Sequence, residues 1–292
     1  MKAVVLVAFG CPDSLSNIGP FMGRIMGKTP PEPLVTSVRK RYEKIGGKSP
    51  LTEITRNQAR ALKAKLGGNF IVDFAYQYWY PEIPEVVSNL IEKGVEEIFF
   101  VPMSAFNSEV STGTYQKTIQ DLEAKYPEIR FVFREGLGKQ LLFIKAHQDI
   151  LNKAVKNYSP KDTGIIFTAH SLPKKAIESG DPYLDEFLAA VKNIGSVTAF
   201  PWQYAFQSKG KSGGEWLGPE VEEVITAFLN QGIKNIIINP VGFVADHIET
   251  LYDLDIELRE KFPEVNIIRL PALNAHPFLI SALKQLVLKL EG

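Results

Sequence analysis

The amino-acid sequence predicts an α/β protein made of two similar domains, each a four-stranded parallel sheet flanked by helices. Three observations point there. Eight short apolar runs alternate with longer amphipathic segments along the 292 residues. Most runs are rich in Val, Ile and Phe without polar alternation, as strands buried on both faces beneath helices are. Segments of the first half also recur in the second at nearly constant spacing.

The expected strands are residues 3–9, 70–76, 97–101, 130–133, 164–169, 197–203, 235–239 and 265–269. Helix-length segments between them include residues 84–93, 114–125, 141–156, 219–230 and 276–290. Strands joined by helical crossovers define the class. In the first half, residues 92–102 describe a helix end, a stop at Gly94, a strand and Pro102. Residues 230–240 repeat that order 138 positions later, with Gly232 and Pro240. Lys125-Tyr-Pro-Glu-Ile129 likewise recurs as Lys261-Phe-Pro-Glu-Val265, 136 positions later. The joint falls at residues 136–140, which gives an N-terminal domain of residues 1–138 and a C-terminal domain of residues 139–292. Open parallel sheets carry their functional loops at the carboxyl ends of the strands, and two facing sheets make a cleft.

Composition narrows the function. Lys+Arg and Asp+Glu each number 33, and this balance excludes the basic excess of a nucleic-acid-binding protein. The lone cysteine, Cys11, cannot form an internal disulfide, a Cys-ligated zinc site or an iron–sulfur cluster. The apolar run before Gly10 is too short to span a membrane, and no later run reaches the required length. A cytoplasmic protein is the expectation.

The repeat allows equivalent positions to be compared. After the first strand, one half reads Val7-Ala-Phe9-Gly10 and the other Thr168-Ala-His170-Ser171. After the third strand, Ser111 of the first half corresponds to Glu249 of the second. The second half therefore carries ionisable groups at two strand ends that a shared sheet edge would bring together. A lone histidine before a Ser-Leu-Pro turn usually just bonds a neighbouring loop, but the Glu249 partner favours a chemical role. Imidazole can hold a divalent metal or accept a proton near neutral pH.

Glu249, Asp253 and Glu257 follow at i, i+4 and i+8, so on a regular helix the three carboxylates share roughly one face. Ile248, Leu251, Tyr252 and Leu258 would supply the opposite, core-facing side. Two readings of the acidic row stand level: a solvated face favoured by the helix N-terminus, or a path for a hydrated divalent cation. His147, within an amphipathic helix, and His276, beside Pro277, read as structural. Residues 209–214 are glycine-rich but lack the spacing of a phosphate-binding loop. Trp216, just after them, reads as a hydrophobic clamp or a loop anchor.

With these residues in view, the chain resembles the ferrochelatases, which insert ferrous iron into a porphyrin late in haem biosynthesis. The matching segments are Phe167-Thr-Ala-His-Ser-Leu-Pro173, Gln207-Ser208 with Trp216-Leu-Gly-Pro219, and residues 240–253. Arg41-Tyr42 with Gly46-Gly-Lys-Ser49-Pro also matches. The resemblance runs over essentially the whole chain. It implies two Rossmann-like, chelatase-type domains around a porphyrin cleft, with His170 and Glu249 as the catalytic and metal-site pair. It places Asp253 and Glu257 on an acidic row that handles metal, which decides between the two readings above. Arg41, Tyr42 and Ser49 resemble donors to the porphyrin carboxylates, arginine being suited to bidentate carboxylate binding. Phe9, Ile25, Met26 and Trp216 would supply apolar walls.

A monomer is the expectation, and the resemblance implies that its substrates are ferrous iron and a porphyrin, either protoporphyrin IX or coproporphyrin III. No permanent cofactor, iron–sulfur cluster or nucleic-acid partner is implied. The chain departs from the family pattern at two places. Phe9 stands where Gram-positive members commonly have a tyrosine able to ligate iron and many others have asparagine. Met103 stands where some relatives have histidine or glutamine. The stretch between Pro12 and Arg41 is short, as in the Gram-positive type. The competing readings are a non-catalytic two-lobed carrier of haem or metal and a cobalt chelatase of the same fold. Turnover separates the first from an enzyme, and the segments at residues 167–173 and 240–253 favour ferrochelatase over the second.

Overall fold

Why the apolar runs become parallel strands is seen in the first unit, where both faces of the sheet are covered. The structure is a computed structural model that describes residues 1–210 and 213–288. The chain divides into a unit of Met1–Ser104, Glu109–Leu137 and the segment from Asn274, and a unit of Ala105–Ser108 and Gly138–Leu273.

In the first unit, β1 (Lys2–Ala8) leads through α1 (Ile18–Met26), α2 (Glu32–Lys44) and α3 (Leu51–Leu66) to β2 (Phe70–Tyr76). Helix α4 (Ile83–Glu92) then precedes β3 (Glu97–Pro102), and α5 (Thr112–Lys125) precedes β4 (Arg130–Phe133). The strands order as β2-β1-β3-β4 and are all parallel. Val5, Val7, Ile98 and Phe100 form one core with Val86, Val87 and Leu90 of α4 and Tyr115 and Ile119 of α5. Val4, Leu6 and Val101, on the other face, are also fully buried.

The second unit repeats the plan. Helix α6 (Leu141–Ala154) leads to β5 (Thr163–His170), followed by α7 (Lys174–Glu178), α8 (Tyr183–Gly195) and β6 (Trp202–Gln207). Then come α9 (Val221–Asn230), β7 (Asn235–Asn239), α10 (Ile248–Leu251), a π-helical turn at Asp253–Glu257, α11 (Leu258–Lys261) and β8 (Asn266–Arg269). The order β6-β5-β7-β8 copies that of the first sheet. The register copies it too: Leu6 pairs with Val101 in one sheet, and Phe167 with Asn239 in the other. Phe9 and His170 each stand three residues beyond those equivalent positions, so they are structural counterparts.

Two expectations need adjustment. The sixth strand is Trp202–Gln207 rather than residues 197–203. Helix α8 runs to Gly195, Val197 is exposed, and Pro201 has no N–H to give a ladder, although its carbonyl accepts from Ile165 N at 2.9 Å. The last helix, α12 (Pro277–Leu288), belongs to the first unit, although the expected second domain ran to residue 292. Its apolar stripe of Leu279, Ile280, Leu283, Leu286 and Val287 is buried, and Gln58 Nε2 of α3 donates to Asn274 O at 2.8 Å just before it. An amphipathic stripe tells that a helix is covered, not which sheet it covers. The expected end of this helix at residue 290 lies outside the described residues. Among those residues no helix is long and apolar enough to cross a membrane.

Truncating Leu283 to alanine therefore removes a fully buried side chain from the first unit. The expected cost is about 2–5 kcal/mol. Hydrogen exchange should accelerate in α3 before it does in α9, and earlier loss in α9 would contradict this placement of α12.

Candidate active site

The site begins with a neighbour relation. β5 lies between β6 and β7, so the residues that follow β5 and β7 emerge at one edge of the sheet. His170 is the last residue of β5 and pairs with Gln207 on β6. The loop after β7 must then turn back across the end of β5, and glycine makes this possible. Gly242 N donates to Thr168 O at 2.9 Å, and a Cβ at Gly242 would sit 2.7 Å from Ala169 Cα. The loop continues through Asp246 and His247 into α10, whose first turn carries Glu249.

Glu249 stands between two imidazoles. His170 Nε2 is 3.6 Å from Glu249 Oε1, and His247 Nε2 is 3.4 Å from Glu249 Oε2. The opposite ring nitrogens face backbone carbonyls: His170 Nδ1 lies 2.5 Å from Ser171 O, and His247 Nδ1 lies 3.1 Å from Ala245 O. A carbonyl can only accept, so each Nδ1 carries a proton and each Nε2 faces the carboxylate, with a lone pair when the ring is neutral and an N–H when it is charged. Lone pairs facing a carboxylate at these distances repel unless a proton or a cation lies between them. The arrangement is therefore built to take up positive charge. Burial opposes charging His247, but hydrogen bonding to Glu249, the charge of Glu249, the Ala245 carbonyl and Asp246 together raise its pKa above the ordinary histidine value.

The supporting contacts hold backbone as well as side chains. Tyr183 OH donates to His170 O at 3.0 Å, and Gln207 Nε2 donates to Glu249 O at 2.8 Å. Burial first, and then the negative charge of Glu249, push the Tyr183 phenol up, so it remains a neutral donor. Asp246 Oδ1 accepts from Thr250 Oγ1 at 3.0 Å and from Ala272 N at 3.3 Å, which fixes the loop just before His247.

The acidic row is present, but not on the regular helix expected. After α10 the chain widens: Glu257 N donates to Tyr252 O at 2.8 Å, a five-residue step. On a regular α-helix an eight-residue separation swings the last side chain about 80° from the first. A π-turn absorbs one residue, and the remaining seven make about two full turns. The turn thus brings Glu257 back into line with Glu249. Asp253 is held by Ser208 Oγ, whose residue adopts a left-handed backbone at φ 59°. The core side is Leu254 and Leu258, with Ile248, Leu251 and Tyr252 only partly buried, whereas the regular pattern put all of those but Leu254 inside. Among the described residues, no group of three or more His, Cys, Asp or Glu side chains closes on a common metal position. His170, Glu249, Asp253 and Glu257 therefore do not form one preassembled cage.

Trp216 is half-buried and tied to the His170 turn. It bridges Pro173, Leu217 N donates to Leu172 O at 2.8 Å, and Ser171 Oγ donates to Leu217 O at 2.8 Å. Gly210 packs on its indole, where a Cβ would come within 2.6 Å of the ring. Residues 211 and 212 of the glycine-rich stretch lie outside the described residues.

In the first unit, Phe9 is exposed at the end of β1. Its ring packs on Tyr78 at a centroid distance of 4.6 Å and edge-on to Phe21 at 6.4 Å. The turn beyond it requires Gly10, at φ 98°, where a Cβ would meet Trp79 Cβ at 2.9 Å. Ile25 and Met26 are exposed at the end of α1. Arg41 is half-buried near the end of α2, while neighbouring Tyr42 is buried. Ser49 is buried too, and its Oγ accepts from Leu51 N at 3.2 Å as α3 begins. Met103 is buried directly after β3. His147 is fully enclosed with Nδ1 3.0 Å from Asn239 Oδ1, and His276 lies beside Phe278 at the start of α12, so the structural reading of both stands.

Paired four-stranded parallel sheets, one of them carrying a histidine–carboxylate cluster at its carboxyl edge, define a protein of the chelatase class. Solved chelatases share the fold. SirB from Bacillus subtilis with Fe3+ matches with a TM-score of 0.63 at 14% identity, covering 98% of this chain and 94% of that one. CbiX, the terminal enzyme for biosynthesis of siroheme in denitrifying bacteria, matches with a TM-score of 0.60 at 11% identity over 100% of both chains. The family model of ferrochelatases matches residues 1–290. A ferrochelatase of Aquifex aeolicus is 33% identical over 98% of both chains, and one of Herpetosiphon aurantiacus is 32% identical over 98% of this chain and 97% of its own. The chain belongs to the ferrochelatase family. It is an enzyme, a metal chelatase that inserts metal into a porphyrin.

Gly242 is the glycine at this site that a side chain would drive directly into backbone. In a Gly242→Ala variant the added methyl meets backbone, which cannot swing aside, at an expected cost of about 1–3 kcal/mol. The displaced loop carries His247 and Glu249, so chelatase turnover should fall more steeply than thermal stability. Unchanged turnover would mean that the loop tolerates displacement.

Proposed function

We propose that this enzyme inserts ferrous iron into its porphyrin at the His170–Glu249 pair. The observation that carries the proposal is the convergence of His170 Nε2 and His247 Nε2 on Glu249, with each Nδ1 proton committed to a backbone carbonyl. Metalation removes two pyrrole protons and strips water from an arriving dication. His170 Nε2 and the Glu249 carboxylate offer lone pairs to either positive species at the same place. His247 shares Glu249 and extends the path by which protons leave. The balance is closed: iron enters as a dication, two protons depart, and no electron changes hands.

The row of Asp253 and Glu257 supplies oxygen ligands to the hydrated ion on its way to Glu249, since carboxylates suit hard, hydrated cations. Arg41 is the donor for a porphyrin carboxylate, with Tyr42 and Ser49 setting the position of its helix and the following loop. Phe9, with Tyr78 and Phe21 behind it, gives the macrocycle an aromatic wall, and Trp216 a second apolar surface. The enzyme works as a monomer without a resident cofactor, iron and porphyrin being its substrates. A storage or carrier site would need more protein ligands than the His–Glu pair provides.

His170→Ala should abolish insertion, by about a hundredfold or more, while porphyrin binding, followed by its absorption spectrum, survives. One imidazole contributes little apolar contact to a large macrocycle but serves the proton and metal steps directly. Loss of porphyrin binding with normal turnover of what remains bound would reject the assignment.

Phe9 is the counterpart of His170 in the first sheet and presents an apolar face with no phenolate. The ferric product complex of the unmodified enzyme should show no phenolate-to-iron charge-transfer band, and Phe9→Tyr should create one and slow product release. A phenolate band without the substitution would mean that another tyrosine reaches the metal.

A further inference from the structure

Arg269, the last residue of β8, is an arginine whose side chain is only 10% exposed and which the chemistry above does not use. Its guanidinium joins two acidic residues of different segments. Nε donates to both carboxylate oxygens of Asp255 at 2.9 Å, and Nη2 reaches Asp255 Oδ2 at 2.8 Å. Nη1 donates to Asp246 Oδ1 at 2.6 Å and to Leu270 O at 3.1 Å. Arg259 Nη2 adds a longer contact to Asp255 Oδ1 at 3.7 Å.

The two carboxylates sit at telling places. Asp246 immediately precedes His247, in the loop that leads to Glu249. Asp255 is the central residue of the π-turn, two residues after Asp253 and two before Glu257. A π-turn holds one residue more than a regular helical turn. A contact from outside its own backbone can hold that extra residue in place. A relaxed turn would move Glu257 by one residue, about 100° around the axis, out of line with Glu249.

We infer that Arg269 is a positioning residue for metal delivery: by clasping Asp255 and Asp246 together it holds the π-turn and sets the acidic row in line with Glu249. The inference rests on the reading of Asp253 and Glu257 as the metal-handling row. A planar guanidinium with several donors in fixed directions can serve both carboxylates at once, and an ammonium cannot.

The test uses the full chain, with ferrous iron and porphyrin varied in turn. Arg269→Ala would leave two partly buried carboxylates uncompensated and is a poor probe. Asp255→Asn keeps the Arg269–Asp246 bond, and Arg269→Lys keeps a charge beside Asp246. Both should raise the KM for iron about tenfold, as loss of an outer partner of a metal ligand does, while the KM for porphyrin stays nearly constant. In an Asp253→Asn, Glu257→Gln background, Asp255→Asn should add little further, because it acts through those residues.

Folded variants with an unchanged KM for iron would overturn the inference. So would equal changes in both KM values, or a fully additive effect in the row-deficient background, since a merely structural role gives those results. If the row-deficient enzyme itself keeps its normal KM for iron, the reading of the row fails first and the inference with it. A normal row effect with a silent Asp255→Asn sinks the inference alone.

Discussion

The placement of β5 beside β7 is the constraint on which the chemistry depends. Parallel neighbours end at the same edge, so whatever follows them meets there. One strand ends in His170, and the loop after the other returns with His247 and Glu249. Gly242 lets that loop pass within contact of the β5 backbone. The rest of the second unit maintains this meeting: Tyr183 holds the carbonyl of His170, and Gln207 holds that of Glu249.

That meeting has an electrostatic consequence. Each imidazole donates its Nδ1 proton to the backbone, so both Nε2 atoms are left to face Glu249, whose charge favours a proton or a cation between them. Such a cluster draws protons and metal ions alike, and insertion of a metal into a porphyrin exchanges one for the other. A metal that must leave with the porphyrin is served by few protein ligands rather than a closed cage. On the proposed reading the acidic row leads to the cluster, and its alignment depends on the backbone widening by one residue between Asp253 and Glu257.

Much of this was legible in the sequence because duplication leaves a strong trace. The recurrence of Gly94 as Gly232 and of Pro102 as Pro240 located equivalent strands, and the ladders pair those strands in the same register. His170 and Glu249 stood out because Phe9 and Ser111 fill the matching places. What was not legible depended on contacts distant in the chain or on local departures from regularity. The sixth strand was placed early because Val197 and the residues after it look apolar, while the limit set by Pro201 is a matter of hydrogen bonding. The i, i+4, i+8 spacing cannot distinguish an α-helix from one with a π-turn. His247 stands two residues before Glu249 in the same motif, and that spacing is the signal in the sequence for its contact with the carboxylate. Arg269 gave no signal, because a charged residue ending a strand usually faces solvent, and its two partners, 14 and 23 residues upstream, come to it only through the fold.

The central claim is that His170 offers Nε2, and not Nδ1, to the metal beside Glu249. Enzyme labelled with 15N at its histidine rings and titrated with zinc, a diamagnetic dication, tests it directly. The His170 Nε2 resonance should shift as zinc binds, while Nδ1 keeps its proton and its bond to Ser171. Metal binding through Nδ1, or bound zinc that leaves both His170 nitrogens unmoved, would contradict it.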